Sequence, residues 1–249
     1  MEENGKLGKK VFFLNPHSVI QDEMVNLLFK NEYEVYLIKD HKKCLRILDK
    51  NPDSILFVNI DDELNDTQWE EYIRSIMRTP ATSNVRIGIL TYNDSQELKK
   101  KYLMDIGLPC GYIRLKLGLS ESTKIILKTL DANEAKGTRK YVRAKCMNNA
   151  TFNVKFNGSI REGDIKDIST AGMACTMTKN VEIPVRSLLK GIQLNLKGAL
   201  CLLNGFVAGI RREDQWVYVI MFTPDMSTQN KEKIRHYIQR NLQQEIDAF

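Results

Sequence analysis

The amino-acid sequence predicts two domains of different fold class: an N-terminal α/β domain with a doubly wound parallel sheet, and a C-terminal antiparallel six-stranded β-barrel with a terminal α-helix. The chain has 249 residues, which suits two modest domains better than one. Up to residue 130, short apolar runs alternate with helical spacing, whereas after residue 149 apolar residues recur at strand period. Residues 131–138 lack apolar periodicity, so we predict domains at 1–130 and 139–249 joined by this linker.

In the first domain, each short apolar run is followed by a segment with helical spacing. The predicted strands are residues 11–14, 34–38, 55–60, 86–91 and 111–115. The predicted helices include residues near Met24 and Leu45, a segment around Trp69 and Ile73, and residues 96–104 and 120–130. Continuous apolar runs are typical of parallel strands that are buried on both faces. Repeated β-α units of this kind predict a doubly wound parallel sheet.

In the second domain, shorter alternating segments are separated by turn residues. The predicted strands are residues 150–156, 159–169, 172–177, 191–196, 199–210 and 216–222. Asn157-Gly158 is a strong hairpin signal, and Lys197-Gly198 and Glu213-Asp214 provide further turns. Strands joined by hairpins in this way predict a small antiparallel barrel.

The last predicted element is a helix that begins after Pro224. Asp225 or Ser227 is expected to cap its N-terminus. Its apolar residues form one stripe, which we expect to pack on the barrel: Ile234, Tyr237, Ile238, Leu242 and Ile246. We also expect core positions for Trp69 and Trp216 and for the methionines at 173, 177 and 221.

Composition excludes several classes of protein. The cysteines at 44, 110, 146, 175 and 201 form no C-x-x-C pair, and with three histidines no zinc spacing occurs, so we expect reduced, buried thiols and no metal site. Residues 1–6 are polar, unlike a signal peptide, and no apolar run approaches the ~20 residues that span a bilayer. We therefore expect a cytoplasmic protein that is not inserted in a membrane. The net charge of +6 is mild for this length.

Two motifs at the head of the second domain point to a ligand site. An R-x-x-x-R is formed by Arg139 and Arg143, with Lys140 between them, and a D-x-S-x-x-G follows at Asp167, Ser169 and Gly172. The planar fork of arginine matches a guanine edge or a phosphate. Period 2 places the Asp167 carboxylate and the Ser169 hydroxyl on one face of a strand, where they can accept guanine N–H groups or bond phosphate or backbone. Gly172 is expected to supply a tight turn and close backbone approach.

This pair of motifs, in this order, resembles the PilZ domain, a family of small β-barrels that bind the bacterial second messenger cyclic di-GMP. The resemblance implies that Arg139 and Arg143 grip guanine or phosphate, and that Asp167, Ser169 and Gly172 complete the pocket floor. Thr138 stands where many members carry another arginine, which favours one bound molecule over two. A second R-x-x-x-R at Arg74 and Arg78 is expected to be the solvated face of a helix.

The first domain resembles the receiver domains of two-component signalling. Asn59 stands at the position of the phosphoacceptor aspartate, Asn15-Pro16 stands where the magnesium-binding acidic pair is expected, and Thr91 and Lys116 match the hydroxyl and lysine positions. Asparagine cannot form an acyl phosphate, so we expect a receiver-shaped scaffold that phosphorylation does not switch. Asp61 lies past the strand end and is the alternative acceptor.

The sequence therefore favours a receptor for cyclic di-GMP without a further cofactor. Its arginines would fold around the ligand, reorient the first domain, and signal to a protein partner, with motility, adhesion or envelope functions as the output that the resemblance implies. The alternative is a protein-interaction adaptor with a degenerate nucleotide site. A nucleic-acid binder is disfavoured because no aromatic stacking motif or recognition helix accompanies the basic run at 136–145. An enzyme is disfavoured because the sequence shows no nucleophile–base pair, metal cluster or phosphate loop.

Overall fold

The structure is a computed structural model that describes residues 8–18, 20–146, 150–178 and 182–249. The polar residues 1–6, on which the signal-peptide prediction rests, lie outside this range. The chain divides into two compact units, one of residues 1–140 with 245–249 and one of residues 141–244. Each unit is described separately below.

A parallel sheet forms the centre of the first unit. Its strands are β1 (Lys10–Leu14), β2 (Val35–Ile38), β3 (Ser54–Asn59), β4 (Arg86–Thr91) and β5 (Tyr112–Arg114). The described strands are all parallel and lie in the order β2-β1-β3-β4-β5, which is the order of receiver domains. β3 is buried along its whole length, as expected for a strand that is covered on both faces. The predicted doubly wound α/β fold is therefore confirmed.

Helices follow the strands as the spacing predicts. They are α1 (Val25–Lys30), α2 (His41–Asp49), α3 (Asp66–Arg78), α4 (Gln96–Lys100) and α5 (Leu119–Ala132). A single π-helical turn, Lys101–Asp105, continues α4, and another, Ile20–Met24, precedes α1. None of the helices in the described ranges is long and apolar enough to cross a membrane.

Helix α3 shows how local sequence sets an element boundary. The Asn65 side chain accepts a hydrogen bond from the Gln68 amide (3.0 Å), and the Gln68 side chain accepts one from the Asn65 amide (3.1 Å). This capping box fixes the start of the helix. Trp69 on its inner face is fully buried, as predicted. On its outer face Arg74 pairs with Glu70 (2.9 Å), which is the solvated role expected for the second R-x-x-x-R.

The second unit is built on antiparallel strands. They are β6 (Arg143–Lys145), β7 (Ala150–Phe156), β8 (Ser159–Ser169), β9 (Gly172–Met177), β10 (Leu188–Leu196), β11 (Ala199–Arg212) and β12 (Trp216–Phe222). The described strands are ordered β6-β8-β7-β10-β11-β12-β9. Because β8 also pairs with β9, the six strands from β7 through β12 form a closed barrel. The predicted six-stranded antiparallel barrel is confirmed, with β6 added beside β8.

Two hairpins have the backbone geometry that their sequences predict. Asn157 and Gly158 have φ values of 48° and 77°, and Lys197 and Gly198 have values of 53° and 87°. Two consecutive positive φ angles are the mark of a turn whose twist matches the flanking strands. These turns set the register of β7 with β8 and of β10 with β11.

Strand β6 departs from the sequence prediction. No strand was predicted in the basic run 136–145, but Arg143–Lys145 pairs with the end of β8, and the Cys146 amide donates to the Lys166 carbonyl (2.7 Å). Ala144 is buried between two exposed basic residues. Three residues are too few to show a strand period, so the sequence could not indicate this element.

Helix α6 (Thr228–Asp247) follows the barrel. Ser227 is its cap, because the Ser227 hydroxyl accepts from the Asn230 amide (3.2 Å). The predicted apolar stripe is buried at all of its positions. Residues 199–204 of β11 pair with β10 on one side, and pairing with β12 on the other side begins only at Gly205. On this stretch the Leu202 carbonyl accepts from Asn230 Nδ2 (2.7 Å), and the Leu200 carbonyl accepts from Lys233 Nζ (2.8 Å). Side chains of α6 therefore satisfy backbone groups at an edge of β11.

Two predicted core residues of the barrel are exposed. Trp216 opens β12 with its ring outside the core, and the Arg212 guanidinium lies 5.6 Å from its centroid. Met221, also on β12, faces outward. The core prediction for these two residues is wrong. Alternation along β12 places Met221 on the face opposite Ile220 and Phe222, whereas Trp216 is exposed as the first residue of the strand. Met173 is buried as expected.

We expect Gly163→Ala to destabilise the barrel by about 3 kcal/mol or more, because a Cβ at Gly163 would lie 1.8 Å from the Thr176 carbonyl oxygen. Gly209→Ala is the matched control, since no atom lies within 4 Å of its Cβ position. That change should alter the free energy of unfolding by about 1 kcal/mol or less. Urea titration followed by circular dichroism measures both, and equal midpoints for the two variants would contradict the close strand packing.

Candidate ligand-binding site

The pairing of β6 with β8 brings the predicted site residues together. Arg143 lies opposite Ser169, and Lys145 lies opposite Asp167. Between these pairs, Ala144 and Ile168 are buried and point into the barrel. Because side chains alternate along a strand, Arg143, Asp167 and Ser169 share the opposite, outer face.

Arg143 and Asp167 form an ion pair on the outer face of the barrel. Arg143 Nη1 lies 3.3 Å from Asp167 Oδ1, and the Asp167 side chain is 19% exposed. Asp167 Oδ1 is itself buried, and no atom of the described residues donates a hydrogen bond of normal geometry to it. Because Oδ1 is enclosed and faces Arg143, only the exposed part of the Asp167 side chain can be reached by a ligand.

Ser169 has a structural role in the same motif. Its hydroxyl accepts from the Ala171 amide (3.3 Å) and donates to the Gly172 carbonyl (3.2 Å). The residue is buried. Ser169 therefore holds the turn between β8 and β9, which corresponds to the backbone role that the sequence left open for it.

Gly172 is required by the barrel and not by the turn. A Cβ at this position would lie 2.4 Å from the Ile220 carbonyl oxygen and 3.2 Å from Met221 Cα. Gly172 is not among the glycines with positive φ, and the turn itself is formed by Thr170 and Ala171. The expectation of a tight turn at Gly172 is thus corrected, since the close approach is made by β12.

Arg139 and Lys140 lie outside the strands that hold the other site residues. Both are exposed, in irregular chain between α5 and β6 that belongs to the first unit. α5 ends at Ala132, two residues inside the segment predicted as linker. The structure thus separates the two arginines of the motif into one fixed by a strand and one in exposed chain.

The two cysteine thiols that interact electrostatically with Asp167, those of Cys146 and Cys175, are uncharged at neutral pH. Burial raises the pKa of the Cys146 thiol to about 11, although a hydrogen bond with Tyr237 opposes this shift; the Asp167 carboxylate adds to it. Burial also raises the pKa of Cys175. Both thiols therefore stay protonated. No group of three or more His, Cys, Asp or Glu side chains in the described ranges is arranged to hold a metal ion.

A second polar cluster lies at the carboxyl edge of the parallel sheet. The Asp61 carboxylate accepts hydrogen bonds from the Thr91 hydroxyl and from the Tyr92 amide (2.8 Å), and His17 Nε2 lies 3.0 Å from Asp61 Oδ2. The His17 and Tyr92 rings meet edge to face. The hydrogen-bond donors at this edge of the sheet are therefore occupied by the Asp61 carboxylate of the protein itself.

Asn59 is part of the same cluster. Its side chain donates to the Asn15 carbonyl (2.8 Å) and accepts from the Asp61 amide (3.1 Å), so it ties β1 to the loop after β3. Lys116 is exposed, and its charge acts on Asp94. Sequence reasoning placed His17 in a loop but missed its pairing with Asp61. The available signal was its position after β1, at the edge where β3 and β4 also end.

A family model matches nearly the same residues as the second unit. Residues 137–240 match the family model of the PilZ domain. This part of the chain is a PilZ domain. No curated protein matches the chain.

Solved structures provide further likenesses. The PilZ domain of Escherichia coli YcgR with c-di-GMP has 15% identity and a TM-score of 0.38, and the match covers 45% of this chain and 94% of that chain. The Bacillus subtilis inhibitor of motility MotI/DgrA has 12% identity and a TM-score of 0.38, covering 45% and 53% respectively. The match therefore spans about half the length of MotI/DgrA, and it spans 50% of the longer YcgR structure.

A likeness is also found outside the PilZ domain. The chemotaxis response regulator CheY4 of Vibrio cholerae has 19% identity and a TM-score of 0.41, and the match covers 51% of this chain and 98% of that chain. The receiver-like fold of the first unit is established by its own strand order.

We expect acetyl phosphate with Mg²⁺ to leave the chain unmodified, because Asn59 lacks a nucleophilic carboxylate and the Asp61 oxygens are engaged by three donors. Intact-mass spectrometry measures the result, and a receiver domain with an aspartate acceptor verifies the phosphodonor. A phosphoryl adduct that disappears in Asp61→Asn would identify Asp61 as a shifted acceptor.

Proposed function

We propose that this chain is a receptor for cyclic di-GMP and that Arg143 and Asp167 are the centre of its binding site. The observation that carries the proposal is the pairing of β6 with β8, which holds the Arg143 guanidinium 3.3 Å from the Asp167 carboxylate with both side chains partly exposed. Both residues lie within the PilZ domain match. The YcgR structure named above contains the same ligand.

The chemistry of the ligand fits these two side chains. The N1 and N2 hydrogens of guanine are donors, which the Asp167 carboxylate can accept. The O6 and N7 atoms of guanine and the phosphate oxygens are acceptors, which the fork of Arg143 can bond in pairs. Arg143 is about half exposed, so its free N–H groups are available to a ligand. Ser169 would act through the turn that it holds, and Gly172 through its approach to β12.

Arg139 and Lys140 complete the proposed site from the exposed segment that precedes β6. Both are exposed cations in irregular chain, where they can move to phosphate without breaking a strand. Ligand binding would then reorient the first unit, as a population shift limited by the difference in ligand affinity between the two arrangements. The position of Thr138 favours one bound molecule.

The wider biological role is part of the same proposal. We propose a receptor without catalytic turnover that acts in the cytoplasm and passes its signal to a protein partner through the receiver-like unit. Motility, adhesion or envelope functions are the proposed outputs. The competing hypothesis is an adaptor whose nucleotide site is degenerate, and ligand binding itself separates the two.

Calorimetric titration with cyclic di-GMP tests the receptor function. We expect micromolar or tighter binding by the wild type, and weakening by about 1.5–3 kcal/mol in Arg143→Ala because a charge-assisted, bidentate contact is lost. Arg78→Ala is the matched control, since Arg78 ends the other R-x-x-x-R and is exposed on α3. The absence of heat and of a thermal shift with wild type would eliminate the receptor function and leave the adaptor.

Small-angle scattering tests the proposed rearrangement. We expect the scattering profile of the wild type to change when cyclic di-GMP is added at saturation, because the exposed segment with Arg139 and Lys140 would fold around the ligand. Arg143→Ala at the same ligand concentration should show the ligand-free profile. A profile that stays unchanged although calorimetry shows saturation would refute the rearrangement and leave the binding site intact.

A further inference from the structure

One row of directly opposed residues crosses the PilZ domain from strand to strand, and it begins at the candidate site. The pairing of neighbouring strands places the following residues in register: Arg143, Ser169, Gly172, Met221, Phe206 and Leu188. The first three belong to the two motifs. The last three are apolar and lie on β12, β11 and β10.

The apolar half of this row faces outward. Met221, Phe206 and Leu188 are 37%, 39% and 52% exposed, whereas their neighbours along each strand point into the core. We call these three side chains the apolar shelf. Three large apolar side chains in adjacent strand positions form a continuous patch, and such patches on a surface mark binding sites more often than single exposed residues do.

The shelf is continuous with the motif residues. Met221 Sδ lies 3.3 Å from the position that a Cβ at Gly172 would occupy. Strands are spaced about 4.8 Å apart, so Met221 lies two strands, or about 10 Å, from β8, which carries Asp167, and Phe206 lies three strands, or about 14 Å, from it. A ligand held at Asp167 therefore has to extend across β9 to reach the shelf.

We propose that the apolar shelf is the surface on which a purine face of the bound cyclic dinucleotide lies, with Met221 and Phe206 as the contact residues. This inference rests on the proposed function and names a part of the site outside both motifs. The two halves of the row match the two kinds of surface on the ligand. Arg143 and Asp167 provide charge and hydrogen bonds for base edges and phosphates, whereas the shelf provides a polarizable thioether and an aromatic ring for a flat base.

The absence of any side chain at Gly172 contributes to this arrangement. Because Gly172 carries no Cβ, the Met221 thioether can lie against it, with Sδ 3.3 Å from the Cβ position. The shelf therefore directly adjoins the turn that Ser169 holds.

Methionine methyl NMR of the full chain provides a direct readout. We expect the Met221 methyl resonance to move upfield during titration with cyclic di-GMP, because a purine ring above it shields the methyl protons. Met104 is the internal control, since it is 75% exposed and lies in the first unit. Met221→Leu assigns the resonance.

Calorimetry with three variants provides the second readout. Loss of a base-stacking side chain costs about 1–3 kcal/mol, so Phe206→Ala should bind cyclic di-GMP about fivefold or more weakly, and Met221→Ala should also bind more weakly. Leu200→Ala should retain wild-type affinity. Leu200 is exposed on the same face of β11, six residues and therefore about 20 Å from Phe206. Thermal unfolding should be similar for the three variants, since each removes an exposed side chain.

The outcomes separate this inference from the proposed function. Wild-type binding that weakens in Arg143→Ala, with an unmoved Met221 resonance and unchanged affinity in Phe206→Ala and Met221→Ala, would overturn the shelf inference and leave the receptor function standing. Failure of the wild type to bind cyclic di-GMP would overturn both.

Discussion

The candidate site depends on the pairing of a three-residue strand, β6, with the end of β8. This pairing converts the last residues of a basic segment into part of the barrel and fixes the Arg143 guanidinium beside the Asp167 carboxylate. Without it, Arg143 would be one more solvated cation. The buried Ala144 anchors the strand, so a small apolar residue inside the basic cluster determines where the charge is held.

The two units treat a carboxylate at a candidate site in opposite ways. In the receiver-like unit, the Asp61 oxygens are occupied by a hydroxyl, an amide and a histidine, and the cluster is complete without any external group. In the PilZ domain, the Asp167 carboxylate pairs with the half-exposed Arg143 and is itself partly exposed. The first carboxylate is held within its own cluster, whereas the second belongs to an ion pair that solvent can reach.

Much of the fold follows from the sequence, because its signals are local and repeated. Apolar runs predicted β1 to β5, and the consecutive turn residues Asn157-Gly158 predicted the β7–β8 hairpin at the correct residues. The motif residues were singled out because their order and spacing match an R-x-x-x-R followed by a D-x-S-x-x-G. What the sequence did not reveal depends on contacts between distant segments. β6 is too short to show a period, Trp216 is exposed as the first residue of β12, and the His17–Asp61 pair joins residues 44 positions apart.

The same principle applies to the apolar shelf, since its three residues come from three strands and are adjacent only after the barrel closes. No window of the sequence contains them. Register between strands, set by hairpins and by the glycine at 172, is what creates this surface.

The contacts of Asn230 and Lys233 with the carbonyls of Leu202 and Leu200 have a consequence for solubility. A strand edge with unpaired carbonyls is a template on which another chain can add a strand and begin to aggregate. Here two side chains of α6 cover that edge, and a positive charge stands beside it. The terminal helix thus protects the β11 edge from pairing with another chain, in addition to contributing to the core. A barrel produced without this helix would be prone to edge-to-edge assembly.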